Sequence, residues 1–323
     1  MRFKKFLVIL AGISLVLVAQ NVFANGAAEK SKITVGFVPS LASDPFFLSM
    51  QYGAQQEANK LGVKLIWQGA SGTYSPSAQL PYVHTVLADK LNSFVLVPTD
   101  ANALMPAVKQ AIGDKIPVIT ADTTVSDTSV LTSRITGDNV GGGKLAANLL
   151  VKAIGGSGQV FVMNGLPGVT TDQLRMQGFR DALAGNSGVN DVGFQYSQDQ
   201  PTHAATVLKD ELLRYPNLKG IFCIDDESAI GVIQGLQNLG KLGQIKVVAY
   251  DAEPAEVSAL EQGKLVALVA QQPAKEGQMA VQYAVDAAKG QTSDIQKSVI
   301  IPDVLITAAN YKSETQYFYR TKS

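Results

Sequence analysis

Residues 33–62 read ITVGFVPSLASDPFFLSMQYGAQQEANKLG, and this stretch decides the fold class. An apolar run rich in β-branched residues (33–38) is followed by a short turn. Asp44 and Pro45 come next, and these are preferred residues for the N-cap and the first turn of a helix. Apolar residues then recur at three- and four-residue spacing until Gly62, which is typical of a helix end. The stretch therefore predicts one strand–helix unit of an α/β fold.

The same alternation continues along the chain. Further strands are predicted near 63–67, 94–97, 117–120, 159–163, 192–196, 220–224, 246–250 and 265–270, with helix-period segments between them. The pattern restarts after residue 137, and a long amphipathic helix (275–289) and two short apolar runs close the chain. We therefore predict two Rossmann-like α/β lobes, each with a parallel sheet covered by helices on both faces.

Composition excludes several classes of protein. The 323 residues include 27 basic and 27 acidic side chains, so the chain lacks the basic excess of a nucleic-acid-binding protein. One cysteine cannot close an intramolecular disulfide, and one cysteine with two histidines cannot form a closed four-ligand zinc site. We expect no cofactor, no metal and no nucleic-acid partner.

Residues 1–24 have the layout of a secretory signal peptide. Basic residues at positions 2, 4 and 5 precede an apolar run (6–18), and small residues around Ala24 form a cleavage site. The apolar run is shorter than the roughly 20 residues of a membrane-spanning helix, so a retained anchor is the less favoured alternative. The sequence predicts export with cleavage near Ala24.

Polar residues collect where the predicted strands end, which is where open parallel sheets bind ligands. They are Ser40, Asp44, Thr99, Asp100, Asp122, Asp225, Asp251 and Gln271. Carboxylates and amides dominate, and basic residues are scarce. This composition favours a ligand rich in hydroxyl groups over a phosphate, because each buried hydroxyl needs a partner. Helix capping remains an alternative role for Asp44, Asp225, Asp226 and Asp251, and organising a loop is an alternative role for Asp122.

Three aromatic residues lie near the same positions. Phe47 fits the apolar stripe of the first helix, whereas Phe46 lies off it and is free to stack on a sugar ring. Trp67, the only tryptophan, ends a strand, and both core packing and ligand stacking are open for it. The sequence contains no phosphate loop, no dinucleotide fingerprint and no GxSxG nucleophile elbow.

The order of several short motifs resembles the periplasmic sugar-binding proteins of the ribose-binding type, which serve ATP-driven (ABC) importers. The motifs are SLASDPFF (40–47), GAQQEA (53–58), PTD (98–100), IPVITAD (116–122), GDNVGGGK (137–144), DDESAIG (225–231), VAYD (248–251) and AQQP (270–273). The resemblance implies two lobes joined by three hinge crossovers, with the ligand cleft between them. One lobe would comprise 33–137 and 273–302, and the other 138–272 and 303–323.

The resemblance also implies ligand contacts. Carried over position by position, they fall on Asp44, Phe46, Phe47, Asp122, Asp225, Asp251 and Gln271. The ribose-binding members have arginine where Thr123 and Gln173 stand, and asparagine where Asp225 stands. Arg175 follows Gln173 by two residues, on what we expect to be another side of the helix. These departures point away from ribose and towards another pentose, a hexose or a polyol.

The resulting hypothesis is a monomeric periplasmic receptor that does no chemistry and delivers a small sugar or polyol to the permease subunits of an ABC importer. One alternative is a secreted carbohydrate-active enzyme that uses cleft carboxylates such as Asp225, Asp226 and Asp251. The other is a sensor that presents its ligand to a chemoreceptor or a kinase.

Overall fold

The computed structural model describes residues 32–322, so the predicted signal peptide lies outside the described range. In chain order the elements are β1 (Thr34–Val38), α1 (Pro45–Leu61), β2 (Lys64–Trp67), α2 (Pro76–Leu87), β3 (Ser93–Leu96), α3 (Met105–Gly113), β4 (Val118–Ala121), β5 (Ser133–Gly137), α4 (Asn139–Ala153), β6 (Gly158–Asn164), α5 (Thr170–Leu183), β7 (Val189–Tyr196), α6 (Pro201–Arg214), β8 (Leu218–Cys223), α7 (Asp226–Asn238), β9 (Lys246–Tyr250), α8 (Pro254–Glu261), β10 (Ala267–Ala270), α9 (Pro273–Ala288), β11 (Ser298–Ile301) and β12 (Val304–Thr307). Within this range, no helix combines the length and apolarity needed to cross a membrane.

The strands form two six-stranded sheets. The first has the order β11-β5-β4-β3-β1-β2, and all its neighbours are parallel. The second has the order β12-β10-β9-β8-β6-β7 and is parallel except for the β10–β12 pair. Strands β3 and β4 are buried along their whole length, which explains why they read as continuous apolar runs rather than as alternating ones.

The chain passes between the two sheets three times. It leaves the first sheet after β5, returns to it through α9 and β11, and enters the second sheet again at β12. The predicted fold of two α/β lobes with three crossovers is therefore confirmed. The residues at which we divided the lobes stay a prediction.

Local signals fix the first strand–helix unit as the sequence suggested. The Asp44 carboxylate accepts a hydrogen bond from the Phe46 backbone N–H at 2.7 Å, and Pro45 begins α1. Gly62 ends the helix in the left-handed conformation, with φ of 67°. A methyl group at Gly53 would overlap the carbonyl oxygen of Ala274, so glycine is what lets α1 pack closely on α9. This packing joins the first helix to the helix that follows the second crossover.

Strand β5 was missed by the sequence analysis. Its residues alternate between buried and partly exposed positions, and Arg134 and Thr136 are among the partly exposed ones. This short polar run lacks the continuous apolar character of its neighbours. Its identity as a strand depends on its pairing with β4 and β11.

Candidate functional site

A cavity lies between the lobes, at the ends of strands from both sheets. Its lining residues are Asp44, Phe46, Phe47, Tyr74, Asp122, Leu166, Val169, Thr171, Asp172, Arg175, Asp199, Asp225, Asp226, Asp251 and Gln271. Seven of these side chains are aspartates, and one carries a guanidinium. The cavity is therefore rich in carboxyl groups and has one cationic side chain in its lining.

Several cavity carboxylates also hold the local backbone. Asp44 caps α1, and the Asp225 carboxylate accepts a hydrogen bond from the Ser228 N–H at 2.7 Å at the start of α7. The Asp172 carboxylate accepts one from the Leu166 N–H at 3.2 Å. Capping and cavity lining are thus not exclusive, because one carboxylate oxygen can serve the helix while the other remains available.

Three cavity aspartates have left-handed backbones. The φ angles are 58° at Asp122, 54° at Asp199 and 81° at Asp251. Such angles are uncommon outside glycine and cost on the order of 1 kcal/mol or more each. In the described part of the chain only Lys115 and Gln198 share this feature among non-glycine residues. Backbone strain thus coincides with the cavity, as is common at functional sites.

Asp251 lies at the centre of a buried polar network. Its Oδ1 accepts hydrogen bonds from Gln271 Nε2 at 2.7 Å and from the Tyr319 hydroxyl at 2.8 Å. Its Oδ2 lies 3.9 Å from Nη1 of Arg175. These contacts leave the carboxylate with little freedom to turn, so it presents a fixed acceptor to the cavity.

Arg175 is held just as firmly. Its Nε donates to Asn139 Oδ1 at 2.8 Å, and its Nη1 donates to the carbonyl of Ile224 at 2.9 Å. The guanidinium lies 3.8 Å from the centre of the Tyr250 ring. Arg175 is therefore a fixed positive charge among the carboxylates of the second lobe.

Burial changes the protonation of the cavity aspartates. It raises the pKa of Asp44, Asp172 and Asp199 to about 8 each. It raises the pKa of Asp122 to about 7, although the nearby Arg175 opposes the shift. Without a ligand, these groups therefore bind protons near neutral pH.

An aromatic wall faces the carboxylates. The rings of Phe46 and Phe47 meet edge to face, with centroids 5.0 Å apart. Phe46 also contacts the ring of Tyr319, whose centroid is 5.6 Å away. This packing holds the rings in place and fixes an apolar surface that can contact the C–H groups of a bound ring.

The sequence model of the periplasmic binding protein domain matches residues 35–292 of the chain. The chain belongs to this family. The two lobes, the three crossovers and the cleft between the sheets agree with that assignment.

Relatives of this periplasmic binding protein include sugar-binding proteins, one of them named for ribose import. The chain is 33% identical over 279 residues to the ribose import binding protein RbsB of Salmonella typhimurium, covering 86% of this chain and 92% of that one. It is 29% identical to the D-ribose/D-allose-binding protein of Pseudomonas aeruginosa, covering 87% and 90%. An ABC transporter solute-binding protein from Agrobacterium vitis, solved with alpha-D-tagatopyranose, has a TM-score of 0.86 and 32% identity, covering 90% of this chain and 100% of that one.

Most residues predicted for the site of this periplasmic binding protein line the cavity. They are Asp44, Phe46, Phe47, Asp122, Arg175, Asp225, Asp251 and Gln271. Arg175 lies on the cavity side of α5, whereas Gln173 is exposed on another side. The arginine two positions beyond the expected one is therefore the one that the fold brings to the cleft.

Three predicted residues lie outside the lining. The ring of Trp67 packs on Phe37, with centroids 4.4 Å apart, so its contacts are those of the core. The Thr123 hydroxyl donates to the carbonyl of Pro98 at 2.7 Å and is buried there. Gln173 faces solvent. Strand-end position and motif alignment placed these residues near the cleft, but their side chains point elsewhere.

The lining also contains residues that the sequence analysis did not select. They are Tyr74, Leu166, Val169, Thr171, Asp172 and Asp199. Asp226, which we named only for helix capping and for the enzyme alternative, lines the cavity as well. Asp199 follows the end of β7, so the strand-end rule would have found it if that weak strand had been given more weight. Asp172 lies in the first turn of α5 and has no comparable signal.

Proposed function

We propose that this periplasmic binding protein captures a small sugar or polyol and delivers it to the permease subunits of an ABC importer. The observation that carries the proposal is a cavity lined from both lobes by fixed acceptors and by an aromatic surface. Ribose import, named for one relative, and ribose and allose binding, named for another, support the same conclusion.

The chemistry of the lining favours a polyhydroxylated ligand. Each ligand hydroxyl can donate to a carboxylate or amide oxygen, and a buried hydroxyl without a partner would weaken binding. The rings of Phe46 and Phe47 would cover the apolar face of the ligand. A phosphate is disfavoured, because Arg175 is the only cationic side chain among the lining residues.

Lobe closure would couple binding to delivery. The lining comes from both lobes, so a ligand makes its full set of contacts only when the lobes are together. That difference in affinity is what shifts the population towards the closed form. The closed protein is then the form that docks on the permease. We propose that it acts in the periplasm as a monomer after removal of residues 1–24.

The experiment is a screen of pentoses, hexoses and polyols by thermal unfolding, followed by calorimetry of each hit. A ligand at 100 times its Kd should raise the free energy of unfolding by about 2.7 kcal/mol. Mass spectrometry after long incubation should recover the ligand unchanged. Released product would favour a carbohydrate-active enzyme, and the absence of any binding across the panel would refute the proposal.

A further inference from the structure

Tyr319 lies behind the cavity, in the C-terminal segment that follows β12, and it contacts residues of both lobes. It is 4% exposed, although its two neighbours in the chain are more accessible to solvent. It does not line the cavity, yet it contacts three residues that do: Phe46, Asp251 and Gln271. A buried side chain in this position can influence a ligand without touching it.

The hydroxyl of Tyr319 makes two hydrogen bonds to residues of the lining. It donates to Asp251 Oδ1 at 2.8 Å and accepts from the backbone N–H of Gln271 at 3.2 Å. Because the backbone N–H can only donate, the proton of the hydroxyl is directed at the carboxylate. Burial and the charge of Asp251 raise the pKa of Tyr319 well above its usual value, so the hydroxyl keeps its proton at neutral pH.

The Asp251 carboxylate is shared between this hydroxyl and two other groups. Gln271 Nε2 donates to the same Oδ1 at 2.7 Å, and Arg175 Nη1 lies 3.9 Å from Oδ2. The Tyr319 hydroxyl therefore supplies one of the two hydrogen bonds that Oδ1 accepts from the described residues. Removing it would leave this oxygen with a single side-chain amide as its donor and would give the carboxylate more freedom to turn.

The ring of Tyr319 supports the aromatic wall from behind. It meets the ring of Phe46 edge to face, with centroids 5.6 Å apart and an angle of 74° between the planes. Edge-to-face pairs are favourable and directional, so the position of Tyr319 restricts the tilt of the Phe46 ring. One side chain thus contacts the acceptor from the second lobe and the ring from the first.

The backbone at Tyr319 is fixed to both lobes. The Tyr319 N–H donates to the carbonyl of Ala252 at 3.0 Å, in the loop after β9. The N–H of Arg320 donates to Ser49 Oγ on α1 at 2.7 Å, and the Arg320 guanidinium lies 3.7 Å from the centre of the Tyr52 ring. Two consecutive residues thus connect the second lobe to the first helix, in addition to the three crossovers.

We propose that Tyr319 is a positioning residue for ligand capture, which holds the Asp251 carboxylate and the Phe46 ring in fixed places relative to each other. Phe46 belongs to the first lobe and Asp251 to the second, so their relative placement decides which arrangement of ligand hydroxyl groups fits between them. Tyr319 therefore contributes to the choice among epimers of a sugar. This role rests on the proposed function, because it requires a ligand that contacts both residues.

A purely structural role would have a different consequence. If Tyr319 only filled the core behind the cavity, removal of its hydroxyl would change the affinity for every ligand by the same factor, or not at all. If it orients Asp251, the removal should weaken the best ligand most, because that ligand depends most on the direction of the carboxylate. Discrimination between ligands is a difference of affinities, and it separates the two roles.

The test compares wild type with Tyr319→Phe in the full chain, since phenylalanine keeps the ring and removes only the hydroxyl. Circular dichroism first shows that the variant is folded. Calorimetry then measures the affinity for the tightest-binding member of the pentose, hexose and polyol panel and for two of its epimers. We expect the affinity for the best member to fall about tenfold, and its ratio to the affinity for the epimers to fall about threefold.

Tyr311→Phe is the matched control. The Tyr311 hydroxyl also donates to a carboxylate, Glu261 Oε1 at 3.0 Å, but neither residue lines the cavity. This variant should keep both the affinity and the affinity ratio of wild type. Tyr319→Leu removes the ring as well as the hydroxyl and should lower the affinity further than Tyr319→Phe does, because Phe46 then loses its support.

Two results would overturn the inference: wild-type affinity in Tyr319→Phe, or an equal loss of affinity for the best ligand and for its epimers. Both leave the proposed function intact, because wild type still binds. If wild type binds no member of the panel, the proposed function and this inference fail together.

Discussion

The first lobe meets the cleft with three aromatic rings and two carboxyl groups, whereas the second meets it with five carboxyl groups and one guanidinium. The first wall is built on the start of α1, where Phe46 and Phe47 share a capped helix turn. The second is built on strand ends and on α5, where Arg175 and Asp251 are held by hydrogen bonds. We infer that the wall of the first lobe provides shape and apolar contact, and that the wall of the second lobe provides directional polar contact.

The largest effect on ligand affinity is expected from the wall of the second lobe, which we call the polar wall. Asp251→Asn removes the charge beside Arg175 and weakens the acceptor for the ligand. Affinity should fall about 100-fold, since a hydrogen bond to a charged group contributes about 1.5–3 kcal/mol. Calorimetry with the ligand identified in the screen measures it. Asp181→Asn, on the exposed side of α5, is the charge-matched control and should bind like wild type.

The aromatic wall, which belongs to the first lobe, should contribute less to ligand affinity. Phe46→Ala removes part of the apolar surface and should lower affinity about 30-fold, because burying such a side chain contributes about 2 kcal/mol. Phe46→Leu retains much of that surface and should lose less. If Phe46→Ala weakens binding more than Asp251→Asn does, the division of roles between the walls is wrong.

Because several carboxyl groups are buried together in the cavity, the free energy of unfolding of the ligand-free protein should decrease as the pH rises. The folded pKa values of Asp44, Asp122, Asp172 and Asp199 lie at about 7–8, above the usual 3.8. Between about pH 4 and 8 the folded state thus binds more protons than the unfolded state, so raising the pH lowers the free energy of unfolding. Tm should fall from pH 5 to pH 8.

Variants test the source of that slope. Asp199→Asn should flatten the dependence of Tm on pH, while Asp181→Asn should leave it unchanged. A Tm that is constant or rises over this range would mean that the cavity carboxyl groups are not buried together in the ligand-free protein.

The smallest effect is expected at Gln173. Its side chain faces solvent, so Gln173→Ala should change affinity by less than about twofold, as is usual for surface substitutions. Calorimetry measures the affinity of this variant for the ligand, and the affinity of Asp251→Asn is measured in the same way for comparison. A larger loss would indicate that α5 turns during closure and brings Gln173 to the ligand.

The sequence could predict the strand ends and their carboxylates because the signals are local. A short buried run followed by Asp122 or Asp251 needs no knowledge of distant contacts. The sequence analysis did not select Asp199 because β7 is only partly buried, and its apolar pattern is correspondingly weak. It did not select Asp172 because acidic residues are common in the first turn of a helix, where they need no ligand to explain them.

The hinge could not be predicted from local pattern. Glu276 occupies the first turn of an amphipathic helix and reads as a surface residue. It is buried only because the crossovers meet around it, which depends on contacts between residues far apart in the chain. Trp67 is a different case. Its position at the end of a strand was predicted correctly, but its side chain packs on the core and does not line the cavity.

Simultaneous contact of the ligand with both walls requires the lobes to close. Small-angle X-ray scattering of the protein, without ligand and with a saturating sugar or polyol from the screen, measures that closure. We expect the radius of gyration to decrease when the ligand binds, and to stay constant for Asp251→Asn at a concentration that saturates only the wild type. An unchanged radius of gyration at full calorimetric occupancy would contradict capture between the two walls.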